Sequence, residues 1–382
     1  MNSKTVLITS PQEWGHIRVS KHHYAEEVAR AGANVLFLNP PSKSEVMDGV
    51  AIEPVDENFG PGSISVIHWN RHSPVTLRFK APSIYKQMIK RDIRRIFAAI
   101  DRRIDLLWSF DPNTFPDLTV FDAGTVLYMP VDPLSQSAQV NCAKGADLIV
   151  SISKEILDNF EKPQFKGRTL LVDHGISRAF EAEAKRAPRP RRGDEPIRAA
   201  FFGNLDRPIV NHKIFAQLAA AHRDVDFHFW GPFDTGGLFQ QTLGGFENII
   251  AHGALDKPDL VEAIRSIDVF LLIYGVDKHL YDRSNAHKIL EYLSTGKVVV
   301  SSAIARYAGR FDLLRAPSSG KDEDIPALFA DTISELDQAN APDLQSTRKA
   351  FALEHSYRSQ LDRIEYALEA RTEYRASRAA PV

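Results

Sequence analysis

Short, almost wholly apolar runs recur along this chain, separated by longer stretches with helical spacing. That alternation restricts the fold more than any other feature. TVLIT (5–9), NVLFL (34–38) and the runs at 64–68, 106–109, 125–128, 148–151 and 169–172 read as strands. A strand that is apolar on both faces has to be covered on both faces, as in a parallel sheet between two helix layers. The pattern stops at residues 181–197, which begin EAEAKRAPRPRRGDEP and offer little to bury. It restarts with strands at 199–202, 226–230, 248–251, 269–274 and 298–302, and helices over 211–221, 258–264, 285–294, 322–338 and 345–370. The expected architecture is α/β, with two Rossmann-like, doubly wound domains. Residues 1–180 would form the first domain, 181–197 a linker and 198–345 the second domain. A C-terminal helix over 346–372 would cross back to the first domain, and 373–382 would be a flexible tail. Such sheets take ligands at the carboxyl ends of their strands, so the expected site is a cleft where the two domains face each other.

Bulk charge gives no case for nucleic acid, because 47 Lys+Arg against 49 Asp+Glu leave a net −2. A single cysteine, Cys142, excludes an internal disulfide and fits a reducing compartment. The first residues lack the apolar core of a signal peptide, and no run approaches the roughly 18 apolar residues of a membrane span. The expectation is a cytoplasmic chain, soluble or peripheral on the inner face of the membrane.

The most informative segment is YGVDKHLYDRSNAHKILEYLSTGKVVVS, residues 274–301. A strand ends at Tyr274, a polar loop follows, and Ser284 or Asn285 is suited to cap a helix. Lys288 and Glu291 then share one helix face. Lysine donates to phosphate and a carboxylate accepts from ribose hydroxyls, which together suit a nucleoside diphosphate. On their own the two residues also fit an ordinary surface ion pair.

Here the chain resembles the GT-B glycosyltransferases. Residues 288–300, K-I-L-E-Y-L-S-T-G-K-V-V-V, are similar to the helix and strand that close the family's donor site. AAFFGNLD (199–206) resembles the first strand and glycine turn of the donor domain, and FHFWGP (227–232) its next strand and glycine. ADLIVSIS (146–153) followed by VDHGIS (172–177) resembles the approach to the interdomain crossing. The resemblance implies that Gly203 and Asn204 let backbone approach the donor, that Lys288 offsets charge on the departing diphosphate, and that Glu291 holds the ribose. Tyr274, Ser284, Asn285 and His174 complete the donor set. A retaining subset of the family carries an earlier glutamate, and at that position this chain has Arg283. The closer resemblance is to the membrane-associated, inverting glucuronosyltransferase of xanthan assembly. It places a general base at Asp132, in VLYMPVDPLS (126–135). A helix-opening Asp-Pro cap is the other reading of that pair. Asp111 is the reserve base.

On the acceptor side, QEWGHIR (12–18) follows the first strand, and His16 and Arg18 are candidates to hold a sugar or lipid phosphate. Residues 71–103 carry ten cations and two carboxylates, with apolar residues interleaved. A basic amphipathic helix reads as a membrane-surface element. A solvated helix whose apolar face packs on the domain is the plainer alternative. Asp224-Val-Asp226 is a D-x-D triplet at the wrong place for a metal–nucleotide motif. No H-E-x-x-H pairing, dinucleotide fingerprint or P-loop is present, and one cysteine cannot build a thiolate cluster, so no metal or cofactor is expected. The expected activity is transfer of a sugar from a nucleotide-diphosphate sugar, a UDP-sugar foremost, to a hydroxyl of a glycan or lipid-linked acceptor. Inverting and metal-independent, it would serve polysaccharide or glycoconjugate biosynthesis. A nucleotide-sugar epimerase or hydrolase, or an inactive nucleotide-binding scaffold, are the alternatives.

Overall fold

The computed structural model describes residues 1–15, 18–42, 46, 49–131, 136–189, 191, 195–275 and 287–379. The chain divides into two compact units, one of Met1–Asp173 with Tyr357–Val382, the other of His174–Ser356.

In the first unit, eight strands lie in the order β3-β4-β2-β1-β5-β6-β7-β8. They are β1 (Thr5–Thr9), β2 (Asn34–Leu38), β3 (Val50–Pro54), β4 (Ser63–Trp69), β5 (Ile104–Ser109), β6 (Ala123–Tyr128), β7 (Leu148–Ser151) and β8 (Thr169–Leu171). All neighbours are parallel except the edge pair β3–β4. Every residue of β1 is buried, as a strand covered on both faces must be. One helix layer packs Tyr24, Val28 and Leu361 against Val6 and Ile8; the other packs Tyr85, Ile89 and Ile93 against Leu7 and Leu107.

The second unit holds β9 (Ile197–Phe202), β10 (Val225–Trp230), β11 (Ile249–Ala251), β12 (Val269–Leu272) and β13 (Val298–Ser301). They are all parallel, in the order β11-β10-β9-β12-β13. In both sheets the order reverses beside the first strand of the unit, between β1 and β5 and between β9 and β12. That switch point is where an open α/β sheet leaves a crevice for ligand.

Three differences from the sequence reading have physical causes. The stretch read as a linker from 181 onward starts inside the helix Arg178–Lys185, which buries Phe180 and Ala184 in the second core. Its carbonyls accept from buried lysines: Lys349 Nζ donates to Arg186 O at 2.7 Å and Lys297 Nζ to Arg189 O at 3.2 Å. Polar sequence is thereby pinned to a body it does not enter. Secondly, the helix expected over 345–370 is two helices, Pro342–Glu354 and Tyr357–Ala379. The first buries Arg348 and Ala352, and the second turns Tyr357, Leu361, Ile364 and Leu368 into the core of the first unit. Thirdly, the basic helix Pro82–Ile100 spends its apolar stripe on the domain, since Tyr85, Ile89, Ile93, Ile96 and Ile100 are buried. That stripe of the stretch read as a membrane element is therefore core, while Phe79 and Ile84 of the same stretch are exposed.

Candidate functional site

The two switch points differ in chemistry. In the second unit β9 ends at Phe202, and Gly203 follows with φ +148°. L side chains avoid that region. Next door, β10 ends at Trp230 and Gly231 follows with φ +144°. Gly203 N–H donates to Trp230 O at 2.8 Å, and a Cβ on Gly231 would stand 1.6 Å from Gly203 O. Two glycines thus let two strand ends close on each other with no side chain between them.

The helix Lys288–Ser294 is buried on every residue. Tyr292 fixes its position: its ring packs 4.6 Å from Phe202 and 4.7 Å from Phe270, and its hydroxyl oxygen accepts from Phe202 N–H at 3.3 Å. One turn earlier, Lys288 is carried to the end of β9. A Cβ on Gly203 would lie 2.5 Å from Lys288 Cε and 3.1 Å from its Nζ. Lys288 is 9% exposed.

Glu291 is 6% exposed. Its Oε1 accepts from Lys257 Nζ at 2.5 Å, while Oε2 is buried with no hydrogen-bond partner among the described residues. Lys257 lies over the rings of Phe180 and Phe202, 5.1 and 5.9 Å from their centroids. His287, at the start of the helix, is pushed well below the usual imidazole value by burial, then by the charges of Lys288, His174, Lys257 and Arg207. Its ring is 5.5 Å from that of His174. At neutral pH the edge therefore combines a neutral His287 with several cations and one carboxylate oxygen that still lacks a donor. Cations beside bare glycine backbone suit phosphate oxygens, and an unpaired buried carboxylate oxygen suits a hydroxyl donor.

The structure thus brings Gly203, Lys288, Glu291 and His174 together, with His174 in the second unit rather than the first. Tyr274 lies at the end of β12, its backbone N–H donating to Ser302 Oγ at 3.0 Å. Asn204 is exposed, its Oδ1 accepting from Asp206 N–H at 3.0 Å. Ser284, Asn285, Asp132 and His16 lie outside the described residues. The helix expected from 285 is described from Lys288, with His287 rather than Ser284 or Asn285 at its cap position. Lys257, Arg207 and His287 were missed by sequence reasoning. For Lys257 a signal existed: Asp256 caps the helix Lys257–Ile264, its Oδ1 accepting from Asp259 N–H at 2.9 Å. That cap places Lys257 at a helix tip on the carboxyl edge of the sheet.

At the switch point of the first unit, Asp111 follows β5 and is fully buried. Its Oδ1 accepts from the N–H groups of Asn113 and Thr114 at 3.0 and 2.9 Å. The carboxylate holds a turn through this oxygen. Arg18 is likewise engaged, with Nη2 2.6 Å from Glu57 Oε1, Nε 3.6 Å from Glu26 Oε1, and its guanidinium stacked 4.0 Å over Trp14. Two carboxylates offset the charge it was expected to offer an acceptor.

Among the described residues no group of three or more His, Cys, Asp or Glu is arranged to hold a metal ion, and no helix is long and apolar enough to cross a membrane.

No sequence-family model matches the chain, and no curated protein matches it by sequence. Solved structures do. HepE from Anabaena in complex with UDP aligns at TM-score 0.62 and 14% identity, over 96% of this chain and 100% of that one. The α,α-trehalose-phosphate synthase (UDP-forming) from Burkholderia xenovorans, in complex with glucose-6-phosphate, aligns at TM-score 0.63 and 14% identity, over 96% and 100%. Sucrose-phosphate synthase from Thermosynechococcus elongatus aligns at TM-score 0.59 and 13% identity, over 99% and 100%. The fold is GT-B. In GT-B terms the second unit is the C-terminal Rossmann-like domain, and the cluster around Lys288 and Glu291 occupies its switch point.

Proposed function

We propose that this GT-B chain is a glycosyltransferase that moves a sugar from a nucleotide-diphosphate donor, UDP-linked by preference, to a hydroxyl of a glycan or lipid-linked acceptor in polysaccharide or glycoconjugate biosynthesis. One observation carries the reading: Glu291 keeps a buried, unpartnered carboxylate oxygen one helical turn from a lysine packed on Gly203. Ribose hydroxyls would satisfy the oxygen, and the diphosphate would meet the ammonium. Two structural neighbours named for UDP support the choice of base. In the reaction, Lys288 offsets the negative charge that builds on the leaving diphosphate as the bond to the sugar C1 breaks. Asp132, on the resemblance to the xanthan glucuronosyltransferase, takes the acceptor proton as the hydroxyl oxygen attacks C1 from the opposite face. No metal enters this scheme. A lipid-linked acceptor would put the chain at the cytoplasmic face of a membrane.

Retention is the second stereochemical reading, because a neighbouring trehalose-6-phosphate synthase is described as transferring with retention. The anomeric configuration of the product, read by NMR, decides between them.

The test is a panel of nucleotide sugars incubated with the protein, with and without membrane lipid extract, measuring released nucleotide. Acceptor-dependent release is the expected result. Donor consumption without acceptor would point to the epimerase or hydrolase reading, and binding without turnover to the scaffold. Asp132→Asn should lower turnover by about 100-fold or more while sparing donor affinity. Full activity in that variant removes Asp132 as base.

A further inference from the structure

Three large apolar side chains within a ten-residue stretch of the first unit stand exposed: Val75 at 42%, Phe79 at 74% and Ile84 at 56%. They lie just before and on the short helix Leu77–Lys80 and in the first turn of the helix Pro82–Ile100. The buried stripe of that longer helix is committed to the core, so these three are a separate surface. On the side opposite the buried stripe, Ile84, Gln87, Arg91 and Arg94 follow one another at helical spacing and are all exposed. Lys80, Arg91 and Arg94 have no ion-pair partner among the described residues. Their neighbours Lys86 and Arg95 do, on Asp117 and Asp92. The tip follows β4 and so stands at the carboxyl edge of its sheet. It is tied to the loop after β5: Arg78 Nη1 donates to Asn113 O at 2.7 Å and Tyr85 OH to Thr114 O at 3.0 Å.

We propose that the tip formed by Val75, Phe79 and Ile84 docks on an anionic lipid bilayer, with Lys80, Arg91 and Arg94 facing the headgroups. The charge arrangement selects this occupant. A stable protein interface takes roughly 20–30 residues a side and disfavours lysine at its core. Three apolar side chains beside unpaired cations have instead the composition of an interfacial anchor. Because the tip shares its sheet edge with the loop carrying Asp111, it would bring a lipid-borne hydroxyl to the side of the unit where the acceptor is expected. That last step alone rests on the glycosyltransferase reading.

The experiment is co-sedimentation of the full chain with vesicles of phosphatidylcholine alone or mixed in equal parts with phosphatidylglycerol. Binding should appear with the mixed vesicles, be absent with phosphatidylcholine alone, and weaken as salt rises. Phe79→Ser with Ile84→Ser should reduce affinity about tenfold or more. Arg91→Gln with Arg94→Gln should reduce it about fivefold per charge removed. All four positions are exposed, so an unchanged circular dichroism spectrum and melting temperature are expected of both variants. Equal binding to both vesicle types, unchanged binding by both variants, or self-association through the tip in place of lipid binding overturns the proposal. UDP titration of the Phe79/Ile84 variant separates the two hypotheses. Loss of vesicle binding with UDP affinity intact supports a distinct surface, whereas vesicle binding by a wild-type chain that binds no nucleotide sinks only the donor reading.

Discussion

Glu291 is useful only if one of its oxygens is held back from the protein, and Lys257 is the residue that arranges this. By occupying Oε1 from its seat over Phe180 and Phe202, it fixes the carboxylate with Oε2 left over. Lys257→Met should therefore weaken UDP binding by about tenfold, the worth of one charge-assisted hydrogen bond. It should also erode discrimination between UDP and its 2′-deoxy analogue, measured by calorimetry. Lys257→Arg should restore much of both. If Glu291→Ala abolishes the discrimination and Lys257→Met leaves it whole, the lysine plays no positioning part. The glycines make a second, graded case. An added Cβ at Gly203 meets the far end of a flexible lysine, whereas at Gly231 it meets backbone oxygen at 1.6 Å. Gly203→Ala should fold, with about 1–3 kcal/mol of backbone strain and a displaced Lys288 that weakens UDP binding. Gly231→Ala should cost more stability, because the carbonyl it strikes belongs to the paired strand end. A chemical-denaturation series on both variants checks the order.

At the scale of elements, strands were legible and their dependants less so. TVLIT, NVLFL and VVVS announce themselves because a doubly covered strand admits almost no polar residue, and Lys288–Ser294 was visible through its capping glycine and its K-x-x-E-Y spacing. Segments whose stability comes from elsewhere were misread. Residues after 181 look unburied, yet their carbonyls satisfy Lys297 and Lys349, whose identities say nothing about which backbone they will meet. A continuous helical pattern over 345–370 conceals the break between Glu354 and Tyr357, because both helices are regular and only the core that each enters differs. The basic helix Pro82–Ile100 has an amphipathic pattern whose buried stripe faces the sheet, and isoleucines every three or four residues serve a lipid or a sheet equally well in sequence. In the site, Gly203, Lys288, Glu291 and His174 could be named from motif order. His287 could not, since its role comes from burial and from neighbours distant in sequence, and Lys257 was signalled only by the Asp256 cap before it. Arg18 and Asp111 show the converse, since sequence gives no sign of their partners, Glu57 for the first and the amides of Asn113 and Thr114 for the second.

At the scale of the whole molecule, each unit holds a histidine that resists protonation, buried in the first and half-buried in the second, and this makes acid a common threat to both. His22, in the first unit, is lowered to about 4, chiefly by burial. Its Nδ1 accepts from Val19 N–H at 3.0 Å, and its Nε2 faces Glu13 O at 3.0 Å, so a second proton would fall on the nitrogen already serving as acceptor. His228, in the second unit, is also lowered to about 4, by burial first and then by His252. An unfolded imidazole titrates near 6.5, so below that pH the unfolded chain binds the proton that the folded chain refuses. Stability from these residues is intact above pH 6.5 and is lost as pH falls towards 4. For His22 the loss between neutral pH and pH 5 comes to about 2 kcal/mol, or about 4–8 °C in melting temperature for a unit of this size. Calorimetry on the intact chain should show the first unit's transition falling over this interval. His22→Gln keeps a donor and an acceptor but does not titrate, so its transition should start lower at neutral pH and fall by a correspondingly smaller amount. Equal acid shifts in the two proteins would mean that the proton uptake lies on other groups, and that the packing of His22 against Trp14 and Phe37 carries no pH dependence of its own.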